Sequence, residues 1–324
     1  MSCLPITKDE IRLAMMGMVE GNGHPYSWSA VFNGYDPEEM AKCPYPVIPV
    51  YLGREPKENL GIPGAKVTHI WTDNPQDAEL VSKASLIPHI LKRPEAAIGL
   101  VDAVVIATDR GYEHVDRVRP FIEAGIPAFI DKPLADNERD LKVFMEWAAE
   151  GRIFLSSSCM RYAKEYLPYH ESTNNLGEVR FATITTPKSW ERYGIHALEG
   201  AYPVLGPGFI SARNTGSANR NIVHFKHVCG ADIVVSAIDD LYGSFGVLCL
   251  YGTAGHAEVA FADTFYAFKK QLEAFIVYLK TGVPPFPFSE TVELMEMLIA
   301  GIRSREQGGR EVFLQEIVAS LKPG

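Results

Sequence analysis

Three groups of residues in this chain have types and spacings suited to chemistry. The first is Asp131-Lys132-Pro133, which ends the apolar run "IPAFID". A lysine at the end of a buried strand is either a solvated terminus or a donor aimed at a ligand's oxygens. Pro133 fixes the chain direction there, and an X-Pro bond can be cis at low cost. The second group is Gly17, Gly21 and Gly23, directly after the apolar run "IRLAMMGMV" (11–19). Glycine lets a backbone approach a pyrophosphate closely, and a following helix N-terminus favours the anion. The same residues also suit a plain tight turn, because G-x-x-x-G-x-G is not the G-x-G-x-x-G spacing. The third is Asp73, at the end of "KVTHIWTD". An acid there can hydrogen-bond a ribose diol and repel a 2′-phosphate, a preference for NAD over NADP. Its alternative is a turn residue partnering Asn74, and the long insertion before it breaks the usual spacing.

Alternating elements must position these groups. The spacing predicts strands over 11–19, 66–73, 102–108 ("DAVVIAT"), 126–131 and 152–158. Helices are expected from Pro75 with Asn74 as cap, over "GYEHVDRVRPFIEAG" ending at Gly125, and from Asn137 to Gly151. Segment 28–43 reads as helical with a break at Asp36-Pro37. Residues 44–65 read as an inserted loop with a short strand at "VIPVYL". Strand–helix alternation predicts a parallel, doubly wound sheet, and such sheets bind ligands at the carboxyl ends of their strands. The second half reads differently. "GEVRFATITT", "NIVHFKHV", "ADIVVSAIDD", "SFGVLCLYG" and "GHAEVAF" are strands with few helices between them, an open and mainly antiparallel sheet. An amphipathic helix over 264–281 and another over 289–307 supply its cover. The fold class expected is therefore α/β, with an α+β second part. Domains are expected at 1–157 and 158–324.

Composition bounds the function. The 324 residues exceed the size at which one core usually keeps growing. The net charge of −9 argues against nucleic acid or an anionic membrane as partner. The five cysteines, Cys3, Cys43, Cys159, Cys229 and Cys249, form no C-x-x-C pair, so neither a disulfide scaffold nor a metal site is expected, and reduced thiols fit a cytoplasm. The run Leu13 to Val19 is too short for a membrane span. His224 and His227 lie on a strand at i and i+3, which face opposite ways, and offer no metal site.

"DAVVIATDRGYEHVDRVRPFIEAGIPAFIDKPLADN" resembles the Gfo/Idh/MocA oxidoreductases. In that family a strand, a "T/P…H" stretch and an E-K-P triplet follow in this order; the triplet here is D-K-P. "SSSCMRYAKEYLP" is similar to the family's Arg-aromatic-x-Pro region, and 267–314 to its closing helices. The resemblance implies a Rossmann domain and a hydride-transfer enzyme, NAD(P)-dependent, acting on a sugar, cyclitol or related polyol. Lys132 then contacts substrate and nicotinamide. Ala107, Thr108, His114, Asp131 and Pro133 border the dinucleotide with Gly17, Gly21, Gly23, His24 and Asp73. Arg161 falls to the substrate side. The family's Asp-x-x-x-His pair carries its histidine over to His196 in "WERYGIHALEG", a general base suited by its pKa. Its aspartate does not carry over. Arg192 stands four residues before His196, one turn back on the same helical face. Arginine cannot act as a base; it can bind a carboxylate or a sugar oxygen, and Tyr193 or Glu191 can replace the lost acid.

Two other functions fit the same residues. One is a non-catalytic metabolite-binding protein, suggested by the imperfect glycine spacing and by Arg192. The other is a same-fold enzyme holding NAD tightly for internal redox, as in epimerisation or glycoside cleavage. Tyr26 and Trp28 after the glycine turn, and Tyr162, Glu165 and Glu199, are secondary candidates for the cleft. An open sheet face predicts a homodimer or homotetramer.

Overall fold

The computed structural model describes residues 4–243 and 245–321. Cys3, and Ser244 at the start of one expected strand, lie outside them.

Six strands form the first sheet: β1 (Ile11–Met16), β2 (Ala65–Trp71), β3 (His89–Ile90), β4 (Ala103–Ile106), β5 (Ala128–Ile130) and β6 (Phe154–Leu155). Their order is β3-β2-β1-β4-β5-β6 and every pairing is parallel. The order reverses between β1 and β4, which opens a crevice at their carboxyl ends. β4 and β5 are fully buried, as their unbroken apolar runs require.

Helices α1 (His24–Asn33), α2 (Pro37–Met40), α3 (Val47–Leu52), α4 (Pro75–Ala84), α5 (His114–Glu123) and α6 (Glu138–Ala149) accompany this sheet. Three start as their sequence dictates. Asp36, Asn74 and Asn137 each cap a helix through the side-chain oxygen, each bond contributing about 1 kcal/mol. α3 corrects the expectation of a strand at "VIPVYL". Ile48 and Leu52, one turn apart, are buried while Val47 and Val50 face solvent. That 3.6-residue period overrides the β-branched composition.

The second sheet holds seven strands: β7 (Val179–Pro187), β8 (Phe209–Asn214), β9 (Arg220–His227), β10 (Asp232–Ile238), β11 (Val247–Gly252), β12 (His256–Ala260) and β13 (Val312–Phe313). Their order is β12-β11-β7-β10-β9-β8-β13. All pairings are antiparallel except β7 with β10, so the sheet is mixed but mainly antiparallel. Sequence reading missed β8 and the two-residue β13. Helices α7 (Leu167–Glu171), α8 (Ile195–Leu205), α9 (Thr264–Thr281), α10 (Phe288–Glu306) and α11 (Leu314–Leu321) complete the chain. α9 ends at Gly282 in the left-handed region, φ 74°, as an αL cap requires.

A π-helical turn, Trp190–Gly194, runs into α8. The turn carries Arg192 and the first turn of α8 carries His196. Trp190 anchors the turn: it is fully buried, and its Nε1 donates to Leu298 O at 2.9 Å.

Candidate active site

The site forms where the carboxyl ends of β1, β4 and β5 meet the π-helical turn and α8. Lys132 follows β5 and is joined to Pro133 by a cis peptide. It is about 1% exposed. Burial works against its charge, but Asp131 and Asp109 outweigh it and hold the ammonium's pKa above the usual lysine value. Lys132 Nζ lies 3.5 Å from Asp109 Oδ2 and 4.9 Å from the centroid of the Tyr193 ring.

His196 also packs against Tyr193, edge to face, with 4.9 Å between ring centroids. The ammonium of one half and the imidazole of the other thus share one phenol as neighbour. Ser158 Oγ engages His196 Nδ1 at 2.6 Å. Burial, reinforced by Lys132, His24 and Lys188, pushes the imidazole's pKa well below its ordinary value, so the ring is neutral.

Asp109 is a residue that sequence reading missed. It follows Thr108 at the end of β4 and is about 1% exposed. Burial disfavours its charge, yet Lys132 and Arg192 bring its carboxyl down to about 2. Arg192 Nη2 donates to Asp109 Oδ1 at 2.7 Å and to Glu20 O, in the glycine turn, at 3.1 Å. Arg192 therefore ties the second half of the chain to the crevice. It does not line the cavity described below. Glu191 points elsewhere and pairs with Arg305, which leaves Tyr193, of the two substitutes considered for the missing acid, at the site.

Asp131 is fully buried and receives His24 Nδ1 at 2.5 Å and Asn22 Nδ2 at 3.0 Å. His24 stacks on Trp28 at 4.2 Å. Here too the sequence placed His24 near the crevice, but its partner is the triplet's carboxylate. His114 bridges Thr108 O at 2.7 Å and Leu134 O at 3.2 Å. It binds the ends of β4 and β5 together and has no ring nitrogen left for a ligand. Arg161 also falls away from the cavity: Glu199 at 2.9 Å and Glu290 at 2.8 Å take its guanidinium, which stacks on Phe286.

A cavity of about 340 Å³ opens beside Tyr193 and His196. The glycine turn, α1, α3 and α9 wall it, through Gly21, His24, Tyr51 and Phe268 among others. Lys188, a second residue missed from sequence, stands at this cavity. Its backbone is left-handed, φ 64°, uncommon for a residue with a side chain. Its Nζ donates to Tyr193 Oη at 2.6 Å and to Gly21 O at 3.4 Å.

A dinucleotide fits the glycine turn in part. Gly17 has φ 84°, and a Cβ there would lie 2.8 Å from Thr108 Cγ2. Thr108 Oγ1 is buried without a hydrogen-bond partner among the described residues. A cleft of about 100 Å³ lies beside Gly17, lined by Trp71, Ile106 and Arg117. Asp73 borders the turn, accepting from Met18 N at 3.3 Å and pairing with Arg117 at 2.9 Å. Gly23 has a different reason to be glycine: a Cβ would lie 2.5 Å from Ile48 Cδ1, so it admits α3 rather than a phosphate. No group of three or more His, Cys, Asp or Glu among the described residues could hold a metal. No described helix is long and apolar enough to cross a membrane.

These features define a doubly wound parallel-sheet fold joined to a mixed-sheet half, with titratable groups at the junction. Residues 51–156 match the model of the oxidoreductase family with an NAD-binding Rossmann fold, the Gfo/Idh/MocA family, and the resemblance read from the D-K-P segment stands on that match. No curated protein matches the chain. Among solved structures, myo-inositol 2-dehydrogenase from Lactobacillus plantarum is similar over 94% of this chain and 99% of its own, with TM-score 0.74 and 14% identity. Scyllo-inositol dehydrogenase from Lactobacillus casei, with bound NAD(H) and scyllo-inositol, is similar over 94% and 99%, with TM-score 0.73 and 11% identity. An oxidoreductase from Agrobacterium radiobacter in complex with NAD+, L-tartaric acid and magnesium is similar over 95% and 99%, with TM-score 0.72 and 15% identity. At these identities the likeness is one of fold.

Proposed function

We propose that the protein is an NAD(P)-dependent oxidoreductase acting on a hydroxyl-bearing carbon of a sugar, cyclitol or related polyol. The observation that carries this reading is that a buried, charged Lys132 and a neutral His196 both lie against Tyr193. Gly17, Gly21, Asp73 and Thr108 would hold the coenzyme. When bound, it accepts or supplies the hydride. His196 takes the hydroxyl proton on the ring nitrogen that Ser158 does not engage. Lys132 places positive charge where the oxygen becomes anionic, and a buried charge acts strongly there. Asp109 and Asp131 keep that lysine protonated. The neighbours that bind scyllo-inositol and tartaric acid support a polyhydroxylated substrate.

The test has two arms. NAD and NADP are titrated by fluorescence onto the wild-type chain, and turnover is measured on a polyol panel. Lys132→Met is expected to retain coenzyme binding and lose turnover by at least about a hundredfold. Turnover at the wild-type rate in Lys132→Met would remove Lys132 from the mechanism. A second reading, a metabolite-binding protein without turnover, draws on Arg192 closing over Asp109 and Glu20. Failure of both coenzymes to bind would favour it.

A further inference from the structure

We infer that the substrate carries a carboxylate, and that Lys188 is the residue that receives it. The inference rests on the reading of the 340 Å³ cavity as the substrate site.

The cations around this site have counter-ions, with one exception. Lys132 has Asp109, and Arg192 has Asp109. His24 has Asp131. Lys188 has no carboxylate within ion-pairing distance among the described residues; its partners are a phenol oxygen and a backbone carbonyl. An ammonium has three donors, and these two bonds leave one for a ligand. No aspartate or glutamate lines the cavity among the described residues. The two nearby carboxylates, Asp109 and Asp131, are buried beneath the wall and already engaged. The lining's neutral polar groups include the Asn22 amide and the hydroxyls of Ser27, Thr264 and the tyrosines, and beside them and the rings of Phe245, Phe261 and Phe268 stands one positive charge without a carboxylate partner, Lys188.

The lysine is also held in place. Its left-handed backbone follows directly from the end of β7. Its side chain turns back to Tyr193 and the glycine turn and lies 4.2 Å from the Tyr193 ring centroid. Lys188 is exposed, at the rim of the cavity, and these contacts fix the direction of its side chain. Strained backbone of this kind clusters at ligand-binding positions. Arg192 looked from sequence like the anion receptor, but Asp109 occupies it. The role passes to Lys188, four residues earlier.

Binding tests this without turnover. Gluconate and glucuronate are titrated against their neutral counterparts, glucitol and glucose, by calorimetry and ligand-detected NMR, with no coenzyme present. The acids are expected to bind at least about tenfold tighter than their counterparts, as a charge-assisted hydrogen bond provides. In Lys188→Gln this preference is expected to vanish while binding of the neutral compounds is unchanged. Lys188→Gly is a second variant that relieves the backbone; it should lose the preference and melt no lower than wild type. Acids that bind no tighter than neutral compounds, or not at all, would overturn the inference, as would a preference that survives in both variants. Coenzyme titration on the same samples keeps the two readings apart: if coenzymes fail to bind while the acid preference holds, only the oxidoreductase reading falls.

Discussion

Single residues at this site are set by their neighbours' charges. His196 is held neutral because burial, Lys132, His24 and Lys188 all oppose its protonation. As a base it works unprotonated, so the acid limb of the kcat/KM profile is expected well below pH 6.5, the usual histidine value. A limb centred at pH 6.5 or above would assign it to another group. Asp73 borders the glycine turn and pairs with Arg117. Asp73→Ser is expected to narrow any preference for NAD over NADP, read as the ratio of the two dissociation constants, because the carboxylate that repels a 2′-phosphate is gone. Lys132 and His196, which both contact Tyr193, were singled out from the sequence, the first from its strand end and the second by resemblance. Asp109 and Lys188 were not. Nothing in "ATDRG" or "TTPKSW" marks an acid that will serve two cations, or a lysine whose backbone turns left-handed. Asp109 had one signal, its place directly after a strand end at the switch point.

Elements tolerate change according to how tightly they interlock. Trp190 sits between two glycines: a Cβ on Gly194 would lie 2.6 Å from its ring, and one on Gly301 of α10 would lie 2.7 Å from Nε1. Gly301→Ala is therefore expected to cost about 1–3 kcal/mol through overpacking, measured by denaturant unfolding. It should also shift tryptophan fluorescence, because the indole must move. α10 carries a second lever. Burial and then Glu293 push the Glu296 carboxyl up to about 7. Its folded pKa exceeds the unfolded one, so the native state binds the extra proton and stability falls as pH rises from about 4.5 to 7. Glu296→Gln is expected to flatten that decline in melting temperature; an unchanged slope would exclude Glu296 as its source. Caps and apolar periods made most helices readable, α9 to the residue. α3 was misread because three β-branched residues in four, Val47, Ile48 and Val50, mimic a strand. β8 and β13 were missed because "FISARN" alternates weakly and two residues carry no period.

At the scale of the whole molecule, the parallel sheet was legible from strand–helix alternation. The mixed sheet was legible as strands, but not in its β7–β10 parallel pairing, which no local pattern encodes. Its outer face leaves Phe181, Ile222 and Tyr251 exposed, with Phe181 and Tyr251 stacked at 5.7 Å. We propose that copies of the chain associate through this face. Sedimentation should show a species larger than one chain, and Phe181→Glu should dissociate it.

Asp109 serves two cations, but not on equal terms. Its contact with Lys132 lies wholly within the first half of the chain, whereas its contact with Arg192 spans the gap between halves. Hinging the halves apart would sever only the latter. The ammonium would keep both its carboxylates, Asp109 and Asp131, through any such opening, and with them its charge.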